Sequence, residues 1–275
     1  MILRNRLSSF RHLLLVSVFT GLTAVSLSGC FAVESAVESG VNSAASAAGE
    51  EVGRSIGQQL APAVNLPAYG TGAWNQFMVS QAQVLFGRAF AAGGMWPAQA
   101  SYAPGEWVRY RSTVSGESEA ALDTLERAYL KETEDGRQWW RVRGLRGGQA
   151  WIYEALVDPE RGEVVRLRAK DPEGNVGEVP VTENTVYQSP QRLTKESIEG
   201  ATVGTENIET AAGTFSTRHV EYQGGAGGGT ITWYLSNEVP GDVVKYQVGS
   251  QQQGSTWTST LVAYGTDATT MLDSY

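Results

Sequence analysis

The chain of 275 residues has one cysteine, Cys30, and two histidines, His12 and His219. A lone thiol forms no intrachain disulfide, and it cannot build a thiolate metal cluster. There is no D-x-D-x-D-G loop for calcium and no G-x-S-x-G turn for a serine nucleophile. The glycine run at 224–229 has no Lys-Ser/Thr after it and lies between predicted strands, so it reads as a hairpin loop and not as a phosphate cradle. The acids gather in turns and strand ends, with no positive signal for the facing carboxylate pair of a glycosidase. No cofactor, no metal and no enzymatic activity are expected. Basic residues are also in short supply, 21 against 29 acids for a net charge of −8. That balance argues against nucleic acid as a partner and against general electrostatic attraction to an anionic membrane surface. Finally, the apolar stretch 13–24, L-L-L-V-S-V-F-T-G-L-T-A, falls short of the roughly 20 residues a spanning helix requires.

That short stretch follows Arg4, Arg6 and Arg11, a basic region without an acid, and small residues come after it. Basic n-region, apolar h-region and small residues before a cut point make an export signal. It ends in Leu27-Ser28-Gly29-Cys30, which resembles the lipobox of bacterial lipoproteins. The resemblance implies cleavage between Gly29 and Cys30, diacylglycerol on the Cys30 thiol, and acylation of the new amino group. Each buried methylene contributes about 0.8 kcal/mol and one chain is marginal, so two or three chains hold the protein stably to a membrane. Phe31 stands where an aspartate often signals retention at the inner membrane, so the expected address is the periplasmic face of the outer membrane. Loss of residues 1–29 removes three arginines and no acid, leaving 18 basic against 29 acidic residues.

The expected order is a signal at 1–29, a tether and linker at 30–72, a helix and its connection at 73–101, and a β domain at 102–275. Ala45, Gly49, Gly53 and Gly57 recur every four residues in the tether. On a helix they form a small-residue stripe that permits close approach of another helix. A mobile, partly helical tether accounts for the same composition, because each helical glycine costs about 1 kcal/mol. Residues 73–92 place Trp74, Phe77, Met78, Leu85 and Ala89 on one helical face, widened by Val84, Phe86 and Phe90. With Arg88 its only base, the segment suits packing on the following domain better than lying on a membrane.

From Tyr102 the apolar period becomes two. Alternating runs at 106–114, 124–131, 138–143, 151–157, 163–170 and 176–181 are separated by turn signals such as D-P-E-R-G and D-P-E-G-N. A second group follows at 202–210, 213–222, 230–235, 243–249 and 255–263, with a short helix predicted near 193–198. This is the pattern of an antiparallel meander. Trp139, Trp140, Trp151, Trp233 and Trp257 lie on these strands, and about half should face inward, either to pack a helix or to line an apolar cavity. Arg109, Arg111, Arg141, Arg143, Arg166 and Arg168 fall at every second residue, so neighbouring strands would gather them on one face. Such a face could meet an anionic envelope partner, or be used up by cross-strand acids such as Glu126. His219 alternates with Glu221 on a strand and reads as a histidine at the sheet surface.

The stretch V-G-T-E-N-I-E-T-A-A-G-T-F at 203–215, followed by R-H-V-E-Y, then W-Y-L and V-V-K-Y, resembles a pattern of uncharacterised bacterial envelope proteins. These are similar to the LolA/LolB-like lipoprotein carriers and receptors. Their fold is an incompletely closed antiparallel barrel or strongly curved sheet with helices on its concave side. In the motif, Gly213 occupies a tight turn that needs positive φ. The resemblance implies a mainly β lipoprotein that binds an apolar or lipid ligand without catalysis. The alternative is an envelope scaffold that meets a protein partner through the 45–57 stripe or the arginine face. The exposed apolar loop with which the receptor passes lipoproteins on has no counterpart here.

Overall fold

The computed structural model describes residues 66–90, 95–97, 102–115, 124–182, 191–223, 229–250 and 255–275. The export signal with Gly29 and Cys30, and the 45–57 stripe, lie outside the described residues. No helix among the described residues is long and apolar enough to cross a membrane.

Eleven strands form one antiparallel sheet in two meanders. The first comprises β2 (Trp107–Val114), β3 (Thr124–Glu132), β4 (Gln138–Arg146), β5 (Gln149–Asp158), β6 (Glu163–Lys170) and β7 (Val176–Val179). The second comprises β9 (Thr202–Thr210), β10 (Gly213–Gln223), β11 (Thr230–Leu235), β12 (Val243–Ser250) and β13 (Ser255–Gly265). The last strand returns beside the first, with Leu261 opposite Tyr110, so the spatial order runs β7-β6-β5-β4-β3-β2-β13-β12-β11-β10-β9. The sheet does not close, and β7 and β9 are its edges. The expected mainly β meander with a helix against it is therefore observed. A small parallel pair, β1 (Met95–Pro97) with β8 (Gln191–Leu193), was not foreseen, since three-residue strands carry no readable period.

Turn chemistry joins the strands as the sequence predicts. Asp158 Oδ1 accepts the amides of Glu160 and Arg161 at 3.1 Å each, closing the β5–β6 turn. Asp171 does the same for Asn175 at 3.0 Å between β6 and β7. Side chains that copy a backbone turn in this way favour aspartate at the first turn position. Gly213 has φ +137°, a value closed to most L side chains, and it starts β10 directly after the β9 turn.

Helix α1 (Gly72–Phe90) lies across the inner face of the first meander. Thr71 Oγ1 accepts the Trp74 amide at 3.2 Å and so caps its start. Its nineteen residues rise about 28 Å, close to six inter-strand spacings of about 4.8 Å. Trp74, Met78 and Leu85 are fully buried against Trp140, Trp151, Tyr153, Val157 and Leu167. Burial of each such side chain contributes about 1.5–3 kcal/mol. At the start of the helix the Trp74 indole donates to Asp171 at 3.0 Å, and at its end the Arg127 guanidinium donates to the Ala89 carbonyl.

A second cluster fills the inner face of the other meander, around Trp233, Val220, Phe215, Leu235 and Leu261. Helix α2 (Lys195–Gly200), close to the predicted position, adds Ile198 to it. Thr194 caps α2 by accepting the Ser197 amide at 3.1 Å.

The outer face of the first meander is covered by residues 266–275, a strap with no regular structure. Glu154, fully buried on β5, accepts the Thr270 hydroxyl at 2.6 Å, the Met271 amide at 2.6 Å and the Ser274 hydroxyl at 2.5 Å. Gly105, at φ +90°, lets this strap approach: a Cβ there would stand 2.7 Å from the Thr266 carbonyl oxygen.

The β11–β12 turn holds a titrating strain. Asp242 adopts φ +60° while its amide donates to Val239 at 3.0 Å and its carbonyl accepts from Ser236 at 2.8 Å. Burial raises its carboxyl to about 6, opposed by Arg218. A raised carboxyl pKa means the folded chain holds the proton more tightly. The resulting stability is complete below the ordinary carboxylate value near 4 and is lost as pH rises through about 6. Discounted for the half-exposed position, the loss is about 1 kcal/mol. Asn tolerates positive φ and carries no charge. Asp242→Asn should therefore raise the urea midpoint at pH 7 and remove the slope between pH 4 and 6; an unchanged slope would assign it to another group.

Candidate functional site

The alternation of the strands sends the five candidate tryptophans to different environments. Trp139 and Trp140 are neighbours and take opposite faces. Trp140 lies under α1, with ring centroids 5.0 Å from Phe90, 4.8 Å from Tyr129 and 5.4 Å from Tyr102. Trp151 lies beside Phe77 at 5.7 Å. Both are thus covered by the helix. Trp139 is on the outer face beneath the strap, 5.9 Å from Tyr275. Trp233, 1% exposed, is enclosed in the second cluster and meets Tyr222 edge-on at 5.4 Å. Only Trp257 remains half-open, with the Arg88 guanidinium 5.0 Å from its ring centre.

The six arginines do share one face, the outer one, but much of that face is occupied. Glu126 sits between Arg109 at 2.6 Å and Arg141 at 3.0 Å. Arg166 pairs with Glu178 at 2.7 Å and donates to the Ser274 carbonyl at 2.8 Å. Arg168 donates to the Asp273 carbonyl at 2.7 Å, and Arg141 to that of Thr269. Strand register produces this ladder, because Arg141, Glu154, Arg168 and Glu178 stand side by side on β4 to β7. Arg111 is exposed and Arg143 half-buried, and among the described residues no ion pair is formed by these two.

Where α1 ends, over the junction of β2 and β13, the inner face opens into a small groove. Arg88 and Ala89 of α1, Tyr110 and Ser112 of β2, Arg127 of β3, Tyr246 of β12 and Ser259 of β13 line it. Its free volume, about 20 Å³ for water centres, is room for one or two waters and not for an acyl chain. Arg127 donates to the Tyr102 hydroxyl at 2.7 Å, and the Tyr110 hydroxyl donates to the Val243 carbonyl at 2.8 Å. Burial pushes both phenols up, so they stay protonated. Burial pulls the Arg88 guanidinium down to about 10, with Tyr246 opposing and Arg146 adding to the shift. Ser112 and Ser259 share a hydrogen bond of 2.5 Å, and Ser259 also accepts from the Trp257 indole at 3.2 Å. Among the described residues, the groove is lined by guanidinium, hydroxyl and aromatic groups together with the aliphatic Ala89, Leu125 and Val243, and by no carboxylate. Its chemistry is that of an anion receptor beside an apolar face.

Sequence reasoning did not find this groove. Arg127 alternates with Leu125 and Tyr129, which would have marked it as inward-facing, but Arg88 on α1 has no periodic signal that joins it to Ser112 and Ser259.

His219 is stacked on Tyr234 at 4.9 Å, with Glu206 at 3.9 Å and Glu221 at 4.0 Å. Its two closest charged neighbours are carboxylates and not a nucleophile. Among the described residues, no three His, Cys, Asp or Glu side chains converge as metal ligands.

No family model matches the sequence, and no curated protein matches it. Solved structures show similarity at low identity. A Parabacteroides distasonis protein described as a lipoprotein is 10% identical, with a TM-score of 0.28, over 62% of this chain and 97% of that one. A Bacteroides fragilis protein described as exported, with a YmcC-like fold, is 11% identical, with a TM-score of 0.32, over 62% of this chain and 98% of that one. A chain of the MucA/MucB complex of Pseudomonas aeruginosa is 12% identical, with a TM-score of 0.37, over 70% of this chain and 59% of that one. At such values the function has to be argued from this chain's own residues.

Proposed function

We propose that this chain is a lipid-anchored protein of the bacterial envelope, held through Cys30 at the periplasmic face of the outer membrane, whose β domain binds an amphiphilic ligand without catalysis. The observation that supports this reading is the cover of the inner sheet face. Among the described residues, Trp140, Trp151, Tyr153 and Leu167 are shielded by helix α1 and not by a second sheet. One helix can leave as a unit where a whole layer cannot. Its apolar side chains then stand where acyl chains would lie, and the arginine groove at its end takes the polar part. In the test, a soluble Cys30→Ala form without residues 1–29 is mixed with a short-chain phospholipid below its micelle concentration, and native mass spectrometry reads the complex. One bound lipid per chain is expected; a bare mass at every lipid concentration would sink the carrier reading.

The scaffold reading retains one supporting observation, the exposed Arg111 on the outer face. Crosslinking from position 111 and from the 45–57 stripe in intact cells separates the two, since a carrier gives no stable partner at either.

A further inference from the structure

Residues 269–274 of the strap are held as a bound peptide is held. Arg141 on β4, with Arg166 and Arg168 on β6, donates to the strap's carbonyls at Thr269, Ser274 and Asp273, groups that every peptide carries. Selection by side chain is confined to a few positions. Glu154 takes the hydroxyls of Thr270 and Ser274, and Leu272, 2% exposed, is the aliphatic anchor between them. Met271, Asp273 and Tyr275 are exposed.

Two features make this occupant replaceable. Asp273 stands at φ +51°, in the left-handed region, which glycine enters without strain. The centre of the face beneath also tolerates water. Arg141, Glu154, Arg168 and Glu178 alternate in sign across β4 to β7, and such a row of cross-strand pairs is compatible with a solvated sheet surface.

We propose that the outer face of β4 to β6 is a docking site for an extended segment of a protein partner, of pattern Thr-x-Leu-Gly-Ser, and that residues 269–274 fill it in cis until that segment displaces them. A tethered strap has an effective concentration of about millimolar, so an identical segment competes poorly. Glycine at the position of Asp273 removes the strain and supplies the partner's advantage. A second copy of this chain brings Asp273 again and gains nothing over the strap in place. The site lies on the opposite side of the sheet from α1, so it stands whether or not the inner face binds lipid.

The experiment reads fluorescence anisotropy of labelled ten-residue peptides titrated with the soluble Cys30→Ala form. One peptide copies residues 266–275, a second carries Asp273→Gly, and a third carries Asp273→Gly with Thr270→Val and Ser274→Ala. The Asp273→Gly peptide is expected to bind at least about fivefold more tightly than the copy, and the third at least about tenfold more weakly than the second. Placing Ser274→Ala in the chain's own strap weakens the cis competitor, so the affinity of the first two peptides should rise about tenfold. Thr270→Val is the second such chain, and circular dichroism confirms the folding of both. Folded strap variants that bind the Asp273→Gly peptide no better than the unaltered chain overturn the docking site. Equal affinity for the second and third peptides overturns it too. A chain that dimerises with rising concentration in light scattering, and excludes the peptides as it does so, makes a second copy the occupant and overturns the partner assignment.

Discussion

A chain carrying Thr270→Val and Ser274→Ala is expected to lose at least about 3 kcal/mol of stability, read as a lower urea midpoint at an unchanged slope. Both hydroxyls donate to the same oxygen of Glu154, at 2.6 and 2.5 Å, inside a site sealed from water. Hydrogen bonds to a charged group are worth about 1.5–3 kcal/mol each, and their removal leaves the carboxylate with only the Met271 amide of the strap. Thr270 Oγ1 also accepts the amides of Leu272 at 3.2 Å and Ser274 at 3.0 Å, so the strap loses its own turn. A double-mutant cycle isolates the carboxylate: in a Glu154→Gln background the same pair should cost markedly less. Equal losses in both backgrounds would mean that the strap acts through apolar cover, chiefly Leu272, and not through Glu154.

The second large effect concerns α1. Leu85→Ala removes a fully buried side chain from the helix–sheet interface, and such truncations cost about 2.7–5 kcal/mol. If the ligand binds only when α1 has left the inner face, weaker docking raises the population of the open state. A change of about 3 kcal/mol then corresponds to an increase in apparent affinity of up to about 150-fold. Stability and binding should thus move in opposite directions, with chemical denaturation reading the first and lipid titration the second. Falling stability with constant affinity would show that the ligand does not compete with the helix.

Most secondary structure was legible before any tertiary information. The period-two runs mark all eleven strands of the main sheet, because each buries one face and leaves the other nearer to water or to the strap. The aspartate-led turns separate them, and the wide apolar face around Trp74 and Leu85 marks α1. The site was less legible. Spacing by two says that Arg109, Arg141 and Arg166 share a face if their strands are neighbours, and they do. It also offers Glu126 as a cross-strand acid, which does pair with Arg109 and Arg141, but it cannot say that the strap at 266–275 will occupy the rest of that face. The strap, T-D-A-T-T-M-L-D-S-Y, has no period at all, since an irregular segment is held by individual hydrogen bonds to Glu154, Arg141 and Arg168.

By itself, then, the sequence determined the mainly β class, the strand boundaries to within a few residues, and the helix that needs an apolar face. Those properties are local, set by spacing, turn residues and runs of one character. Tertiary structure alone decided that β13 returns beside β2, that Trp140 and Trp151 are roofed by α1 while Trp257 stays half-open, and that Arg88 lies over the Trp257 ring. Each depends on contact between residues fifty or more positions apart, where contact is governed by sheet order and packing and leaves no trace in the local pattern.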